Sequence, residues 1–301
     1  MRKQIVKGLI RFSQHVPAFR ARGSYSGLDK YKGPHAEFAR SEIEYGDHEN
    51  FLDNISHIDF PSLITGKDVL DYGSGYGGRT VWMARYARHV YGMEIVEHRV
   101  RSGNDYAKFK AVHNATFSLG REDKIMMGDN SIDVITSFDV MEHVQKPDLI
   151  MSEIYRVLKP AGLGIIIFTP YYGIFSHHLN PISLWPALHW FFSARTLVKS
   201  VNELLVSDSE FERLKLQRLP MPLSSFNNKR ECIPTLNGLT KPEYKDIVKS
   251  CGFQIREFRS RPILGKFRLL GKAGDLINRL LITVPRLDEY FSHNLVSVLS
   301  K

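Results

Sequence analysis

Lys67-Asp68-Val69-Leu70-Asp71-Tyr72-Gly73-Ser74-Gly75-Tyr76-Gly77-Gly78 reads as a short buried strand, an acid near its end, and a glycine-rich turn that opens a helix. Glycines 73, 75 and 78 fit a G-x-G-x-x-G pattern, in which missing side chains allow a tight turn and close backbone approach to a nucleotide-like ligand. The next apolar run, Val90-Tyr91-Gly92-Met93, ends in Glu94. That is about the spacing expected of an acid that receives ribose hydroxyls. The turn is therefore the expected cofactor site.

Asp71 bears on which nucleotide. A dinucleotide would bring an anionic pyrophosphate to this turn and be repelled by a carboxylate at the strand end, whereas S-adenosyl-L-methionine brings an ammonium and a sulfonium. The acid favours S-adenosyl-L-methionine. The competing reading is an aspartate that caps the following turn.

The stretch from Asp129 to Val144 (Asp-Asn-Ser-Ile-Asp-Val-Ile-Thr-Ser-Phe-Asp-Val-Met-Glu-His-Val) is followed by Gln145-Lys146-Pro147 and, further on, Arg156-Val157-Leu158-Lys159-Pro160. Together with Val69-Leu70-Asp71-Tyr72-Gly73-Ser74-Gly75 it resembles the class I S-adenosylmethionine-dependent methyltransferases, in the branch that methylates small molecules and lipids. The likeness is close over residues 67–170, and the terminal Tyr290 to Leu299 run resembles the family's last strand. It implies a doubly wound, Rossmann-like α/β fold with a seven-stranded sheet whose last strand inserts antiparallel. It also implies cofactor contacts from Asp71, Gly73, Ser74, Gly75, Glu94, Ile95 and Phe138, and an acid in the adenine-contacting segment. The family usually has an Asp near position 121; here that position is Arg121 and the neighbouring acids are Glu122 and Asp123, of which Asp123 is taken.

The rest of the chain is read as that core with additions. At 301 residues, 43% hydrophobic and 24% charged, it is long enough for a core of this kind. Two cysteines, Cys232 and Cys251, give neither a disulfide framework nor metal-ligand spacing. No apolar run reaches the ~18 residues that span a bilayer, and the first residues lack a continuous apolar stretch of secretory type. The expectation is a cytoplasmic protein. Strands are expected at 68–72, 89–94, 115–118, 132–138, 163–169, 253–258 and 294–299. One helix carries Ile150, Ile154, Val157 and Leu158 and stops at Lys159 to Gly162; another opens on the box Thr240-Lys241-Pro242-Glu243 and ends at Gly252.

Residues 39–170 and 231–301 are assigned to the core, 1–38 to a basic amphipathic segment, and 171–230 to a lid that binds the acceptor. The lid is rich in aromatics, among them Tyr171, Tyr172, Phe175, Trp185 and Trp190, which form either an acceptor pocket or a satellite core. Methyl transfer needs mainly positioning, and a base only if the acceptor must lose a proton. His143, His177 and His178 are the candidates; His143 alternatively orients a turn, and the lid pair alternatively belongs to an ordinary polar turn before Asn180-Pro181. Asp139, Glu142 and His143 resemble the metal-binding Glu-x-x-Glu-His of ubiquinone-biosynthesis O-methyltransferases, but no metal is expected.

The net charge of +9 is localised. Residues 1–28 carry six Lys or Arg and no acid, and residues 254–286 carry eight against two acids. Ile5, Leu9, Phe12, Val16 and Phe19 recur at helical spacing among the first set, so that an apolar face meets an anionic membrane or docks on the protein itself. The acceptor is expected to be a small molecule or lipid-linked. A non-catalytic adaptor and a nucleic-acid methyltransferase are the alternatives, the latter disfavoured because no Asn/Asp-Pro-Pro-Tyr-like motif is present.

Overall fold

The computed structural model describes residues 1–16, 52, 55, 57–179, 182–208, 230–232, 236–263 and 271–301. Phe19, Asn180-Pro181 and the stretches 17–38 and 209–229 of the additions lie outside the described residues. Two compact units are present. The core unit comprises Ser24–Phe168, Pro242–Arg259 and Val296–Lys301; the second comprises Met1–Gly23, Thr169–Lys241 and Ser260–Leu295. The division drawn from sequence leaves 260–295 with the core, whereas in the structure these residues gather with the amino terminus and the segment after residue 168. Their own hydrogen bonds explain the difference: Ile174 N–H donates to Tyr290 O at 3.0 Å, and Asp288 pairs with Lys241.

In chain order the elements are α1 (Arg2–His15), α2 (Phe60–Ile64), β1 (Asp68–Tyr72), α3 (Gly78–Met83), β2 (His89–Glu94), α4 (Glu97–Phe109), β3 (Ala115–Leu119), β4 (Ile132–Phe138), a 3-10 turn at Met141–His143, α5 (Pro147–Val157), β5 (Leu158–Phe168), α6 (Leu188–Phe191), α7 (Ala194–Ser207), α8 (Lys241–Ser250), β6 (Gln254–Pro262), α9 (Gly271–Leu281), α10 (Leu287–Tyr290) and β7 (Ser292–Ser300). The sheet runs β3-β2-β1-β4-β5-β7-β6. Its first five strands are parallel, in registers such as Asp71↔Gly92, Val69↔Val134 and Thr136↔Ile165. β7 runs the other way: Ala161 N–H donates to Lys301 O, while further along β5 the Ile166 carbonyl receives the Ser297 hydroxyl. The winding reverses between β1 and β4, which in open α/β sheets leaves the ligand crevice at their carboxyl ends.

The strands are apolar because both faces are covered. Val69, Val90, Val134, Ile165 and Ile167 pack with Trp82, Met83, Phe60 and Ile64, and Phe60 stacks on Trp82 at 6.1 Å. A second cluster centres on Phe117 with Tyr76, Val81 and Tyr106. It explains two glycines: a Cβ at Gly92 or Gly103 would lie 2.6 Å from the Phe117 ring. The helix expected to run to Lys159 stops instead at Val157. Leu158 is taken into the sheet opposite Ile132, and a register irregularity with Ala161 at φ +60° carries the chain past Pro160. Strand pairing with β4 outweighs one further helical turn.

In the second unit α1 packs along α7. Val6 and Ile10 are buried among Leu197, Val201, Leu204 and Leu205. Gln14 Nε2 donates to Ile182 O at 2.6 Å, Lys3 and Lys7 both reach Glu203, and Arg11 reaches Asp208 at 2.8 Å. This corrects the amphipathic reading. The buried seam is Val6, Ile10, Ser13 and Gln14, one step round from the expected stripe, and Ile5 and Phe12 are left outside. Among the described residues no helix is long and apolar enough to cross a membrane.

Candidate functional site

The glycine turn folds over the tip of β2. Gly73 and Ser74 donate their N–H groups to Met93 O at 2.8 and 3.0 Å, and Gly73 adopts φ +78° where a side chain would strike Val140 Cγ2. Gly75, also left-handed, donates its N–H to Glu94 Oε2 at 3.1 Å. The third left-handed glycine is Gly77, which caps α3 at φ +91°, rather than Gly78, which opens the helix. A Cβ on Gly77 would meet Gly103 Cα at 2.8 Å, so this residue sets how closely α3 and α4 approach.

Glu94 is the organising group. Besides Gly75, its carboxylate receives the N–H groups of Ile95 at 2.9 Å and Val96 at 3.0 Å, with Arg99 Nη1 at 3.6 Å. It is buried, yet ionic hydrogen bonds of this kind fix its orientation. The following residue, Ile95, presents an exposed aliphatic side chain. The Ser74 hydroxyl, on the same turn, is buried and has no hydrogen-bond partner among the described residues. A turn where no Cβ fits at Gly73, an orphaned hydroxyl and a fixed carboxylate suit the ribose and amino-acid ends of S-adenosyl-L-methionine, so the residues present fit that group.

Other predicted contacts sit differently. Asp71 is fully buried; its Oδ2 receives the Thr80 hydroxyl at 2.7 Å and its Oδ1 the Thr136 hydroxyl at 3.1 Å. It therefore joins β1, α3 and β4 beneath the turn. Phe138 belongs to the core against Phe60, and what it leaves at the strand end is a carbonyl that receives Arg79 Nη2 at 3.3 Å. Asp123 is exposed and receives both Nε and Nη2 of Arg121, and this side-chain hydrogen bonding keeps its carboxyl below the ordinary range. His143 lies in the 3-10 turn after β4, and Asp139 precedes it at φ +59°. A left-handed residue followed by a 3-10 turn does not give the helical i, i+3, i+4 face considered for Asp139, Glu142 and His143. Among the described residues no group of three His, Cys, Asp or Glu could hold a metal ion.

One support escaped the sequence reading. Arg156 on α5 reaches Ile125 O at 2.9 Å, Met127 O at 2.9 Å, Asp129 at 2.6 Å and Glu153 at 2.6 Å, while Glu153 receives the Ile125 N–H at 3.0 Å. The pair anchors the stretch that leads on from Arg121-Asp123. Its only sequence signal was a Glu and an Arg three apart on one helix face.

The second unit contains a cavity of about 230 Å³ lined by Tyr171, Ser176, His177, His189, Phe192 and Cys232, among others. His177 is engaged at both ring nitrogens: Nε2 donates to Trp185 O at 3.0 Å and Nδ1 receives the Leu179 N–H at 3.0 Å. Burial, with His189 nearby, pushes it down to about 3. It is a neutral structural imidazole with no lone pair to spare, which corrects its assignment as a base. His178 takes a left-handed φ of +51° and does not line the cavity. The histidine that does join His177 is His189, ring centroids 5.8 Å apart. Its Nε2 donates to Tyr171 O at 3.1 Å, leaving Nδ1 as an acceptor with no partner among the described residues, and burial pushes it down to about 4.

The β3-β2-β1-β4-β5-β7-β6 sheet, the glycine turn after β1 and the acid ending β2 give the core unit the arrangement of a class I S-adenosylmethionine-dependent methyltransferase domain. Residues 70–166 match the family described as Methyltransferase domain. The chain is 32% identical over 111 residues to the ubiquinone biosynthesis O-methyltransferase of Neisseria meningitidis serogroup A, covering 36% of this chain and 47% of that one. It is 33% identical over 100 residues to the sterol 24-C-methyltransferase ERG6B of Gibberella zeae, covering 33% and 26%. The chain spans about half or less of the length of these curated relatives. The fold extends over 99% of this chain and 94% of the structure of the (4+2)-cyclase SpnF, with a TM-score of 0.51 and 13% identity.

Proposed function

We propose that the protein transfers the methyl group of S-adenosyl-L-methionine to an oxygen, nitrogen or carbon of a small or lipid-linked acceptor. The observation that carries this is the Gly75 to Glu94 hydrogen bond: the glycine turn and the acid 19 residues later meet as one preorganised receptor. Gly73, Ser74, Gly75, Glu94 and Ile95 hold the cofactor, and Asp123 lies in the stretch assigned to its adenine. When bound, S-adenosyl-L-methionine supplies a methyl carbon already activated by its sulfonium. The chain's own residues then need chiefly to hold, orient and exclude water. Asp71 places a carboxyl group under the turn, an arrangement that favours a cationic ligand over a pyrophosphate.

The acceptor is proposed to enter the cavity of the second unit. Apart from Glu231, which pairs with Arg195 at 3.1 Å, its walls are aromatic or neutral; its two histidines are uncharged at neutral pH, and burial pushes the Cys232 thiol up to about 11, so an uncharged acceptor suits it. His189 Nδ1 offers the one buried acceptor atom there without a partner among the described residues, able to receive a hydroxyl proton. The sterol and ubiquinone-pathway names of the two relatives favour a lipid-type acceptor. The test is calorimetry with S-adenosyl-L-methionine, followed by an untargeted search of a lipid extract for products that gain one methyl group. Binding and such a product are expected. A protein that binds no S-adenosyl-L-methionine refutes the reading, and one that binds it but methylates nothing points to an adaptor or to other chemistry on this fold.

A further inference from the structure

Helix α9 and the turns after it are built inside out. Asn278 is 2% exposed, its Oδ1 receiving the Ile263 N–H at 2.6 Å and its Nδ2 donating to Phe291 O at 2.8 Å, so the helix turns an amide inward. Leu276, Ile277, Leu280, Val284 and Leu287 are 60, 51, 59, 44 and 39% exposed. A helix of a water-facing surface shows the opposite arrangement, and contiguous exposed aliphatic side chains mark a contact surface.

The charges are sorted as well. Arg279 and Arg286 are exposed and in no ion pair among the described residues. The two acids that follow are withdrawn: Asp288 pairs with Lys241 and receives the Ser260 hydroxyl, and Glu289 is buried, receiving the Tyr172 N–H at 3.3 Å. Among the side chains described on this face, the large exposed apolar ones are aliphatic and the exposed charged ones are cationic. The first basic segment of the chain differs, because Lys3, Lys7 and Arg11 of α1 are already matched by Glu203 and Asp208.

We infer that the face formed by Leu276, Ile277, Leu280, Val284 and Leu287 with Arg279 and Arg286 docks on an anionic lipid surface. Aliphatic side chains enter the headgroup boundary while the arginines meet lipid phosphates and carboxylates, an interfacial attachment that spans nothing. A second copy of the chain is the poorer occupant, since a two-fold contact on this face would bring its arginines toward their own symmetry mates. The inference does not depend on the methyl-transfer reading.

Vesicle co-sedimentation tests it. The full chain is expected to pellet with vesicles of mixed phosphatidylcholine and phosphatidylserine, weakly with phosphatidylcholine alone, and less as salt is raised. Arg279→Gln with Arg286→Gln should lower partitioning about 25-fold, which is about fivefold, or ~1 kcal/mol, for each arginine. Leu276→Ser with Leu280→Ser should lower it at least ~10-fold, with an unchanged unfolding midpoint because both sites are exposed. Ile5→Ser with Phe12→Ser on α1 should pellet as the parent does. The inference is overturned if the parent does not bind anionic vesicles, if the α9 variants bind as well as the parent, or if the α1 variant is the one that loses binding. It is also overturned if the leucine variant instead abolishes a concentration-dependent dimer, because the face then belongs to a second copy.

Discussion

Glu94→Gln is the most discriminating change at the cofactor site. The carboxylate receives three backbone N–H groups, from Gly75 at 3.1 Å, Ile95 at 2.9 Å and Val96 at 3.0 Å. A glutamine keeps one acceptor oxygen, so it must choose. The less costly orientation points that oxygen at Ile95 and Val96 and sets an NH₂ against the Gly75 N–H, leaving a buried donor unpaired at ~1–3 kcal/mol. The two retained bonds lose their ionic character and roughly half their strength, ~1 kcal/mol each. The core unit should therefore lose ~3–5 kcal/mol, read as a drop of several degrees in the unfolding midpoint. Cofactor affinity should fall more than tenfold, because a charged hydrogen bond to ligand hydroxyls worth ~1.5–3 kcal/mol disappears as the turn loosens. Calorimetry well below the unfolding midpoint separates the two effects. If stability falls but S-adenosyl-L-methionine affinity does not, Glu94 is only a clasp for the turn; if neither changes, the reasoning about this carboxylate is wrong.

Gly103→Ala places a methyl 2.6 Å from the rigid Phe117 ring and should destabilise the core unit by ~1–3 kcal/mol in denaturant titration, whereas an alanine at exposed Gly128, where nothing lies within 4 Å, should not. Arg156→Met strips two backbone carbonyls and two carboxylates of their donor and should cost ~2 kcal/mol or more, with faster hydrogen exchange at residues 125–129. His177 and His189 are held neutral when folded but protonate near pH 6.5 when unfolded, so the unfolded chain binds more protons on acidification. Stability of the second unit should be flat above about pH 7 and fall between about pH 6.5 and 4; a His177→Gln protein should show a shallower fall over that window, and an equal slope would refute the assignment.

The local readings that held share a physical reason. Val69, Leu70 and Tyr72 around a single acid, closed by glycines, are too short for a helix and read as a buried strand ending in a turn; β1, β2 and β4 begin and end at the expected residues. The turn at Gly73 and Gly75 was legible because left-handed backbone restricts residue type severely, and Glu94 ends β2 where the apolar run stops. Which glycines are left-handed was not. Gly77 rather than Gly78 takes that role because α4 approaches at Gly103, a contact set by the packing of Phe117.

The tertiary structure decided everything that depends on which side of a residue is covered. Asp71 looks like a ligand contact in sequence, but Thr80 and Thr136 arrive from α3 and β4 to claim both of its oxygens. His177 and His178 are equivalent on paper; the carbonyl of Trp185 and the amide of Leu179 occupy the first, and His189, never singled out, carries the open nitrogen. Two basic segments interleaved with apolar residues read alike by charge. One found Glu203 and Asp208 on α7 and turned Val6 and Ile10 inward, while the other turned Asn278 inward and left its leucines facing out. A sequence fixes each residue's chemistry and its nearest neighbours along the chain, whereas burial and partnership come from other elements, from 9 residues away for Thr80 on Asp71 to 196 for Glu203 on Lys7.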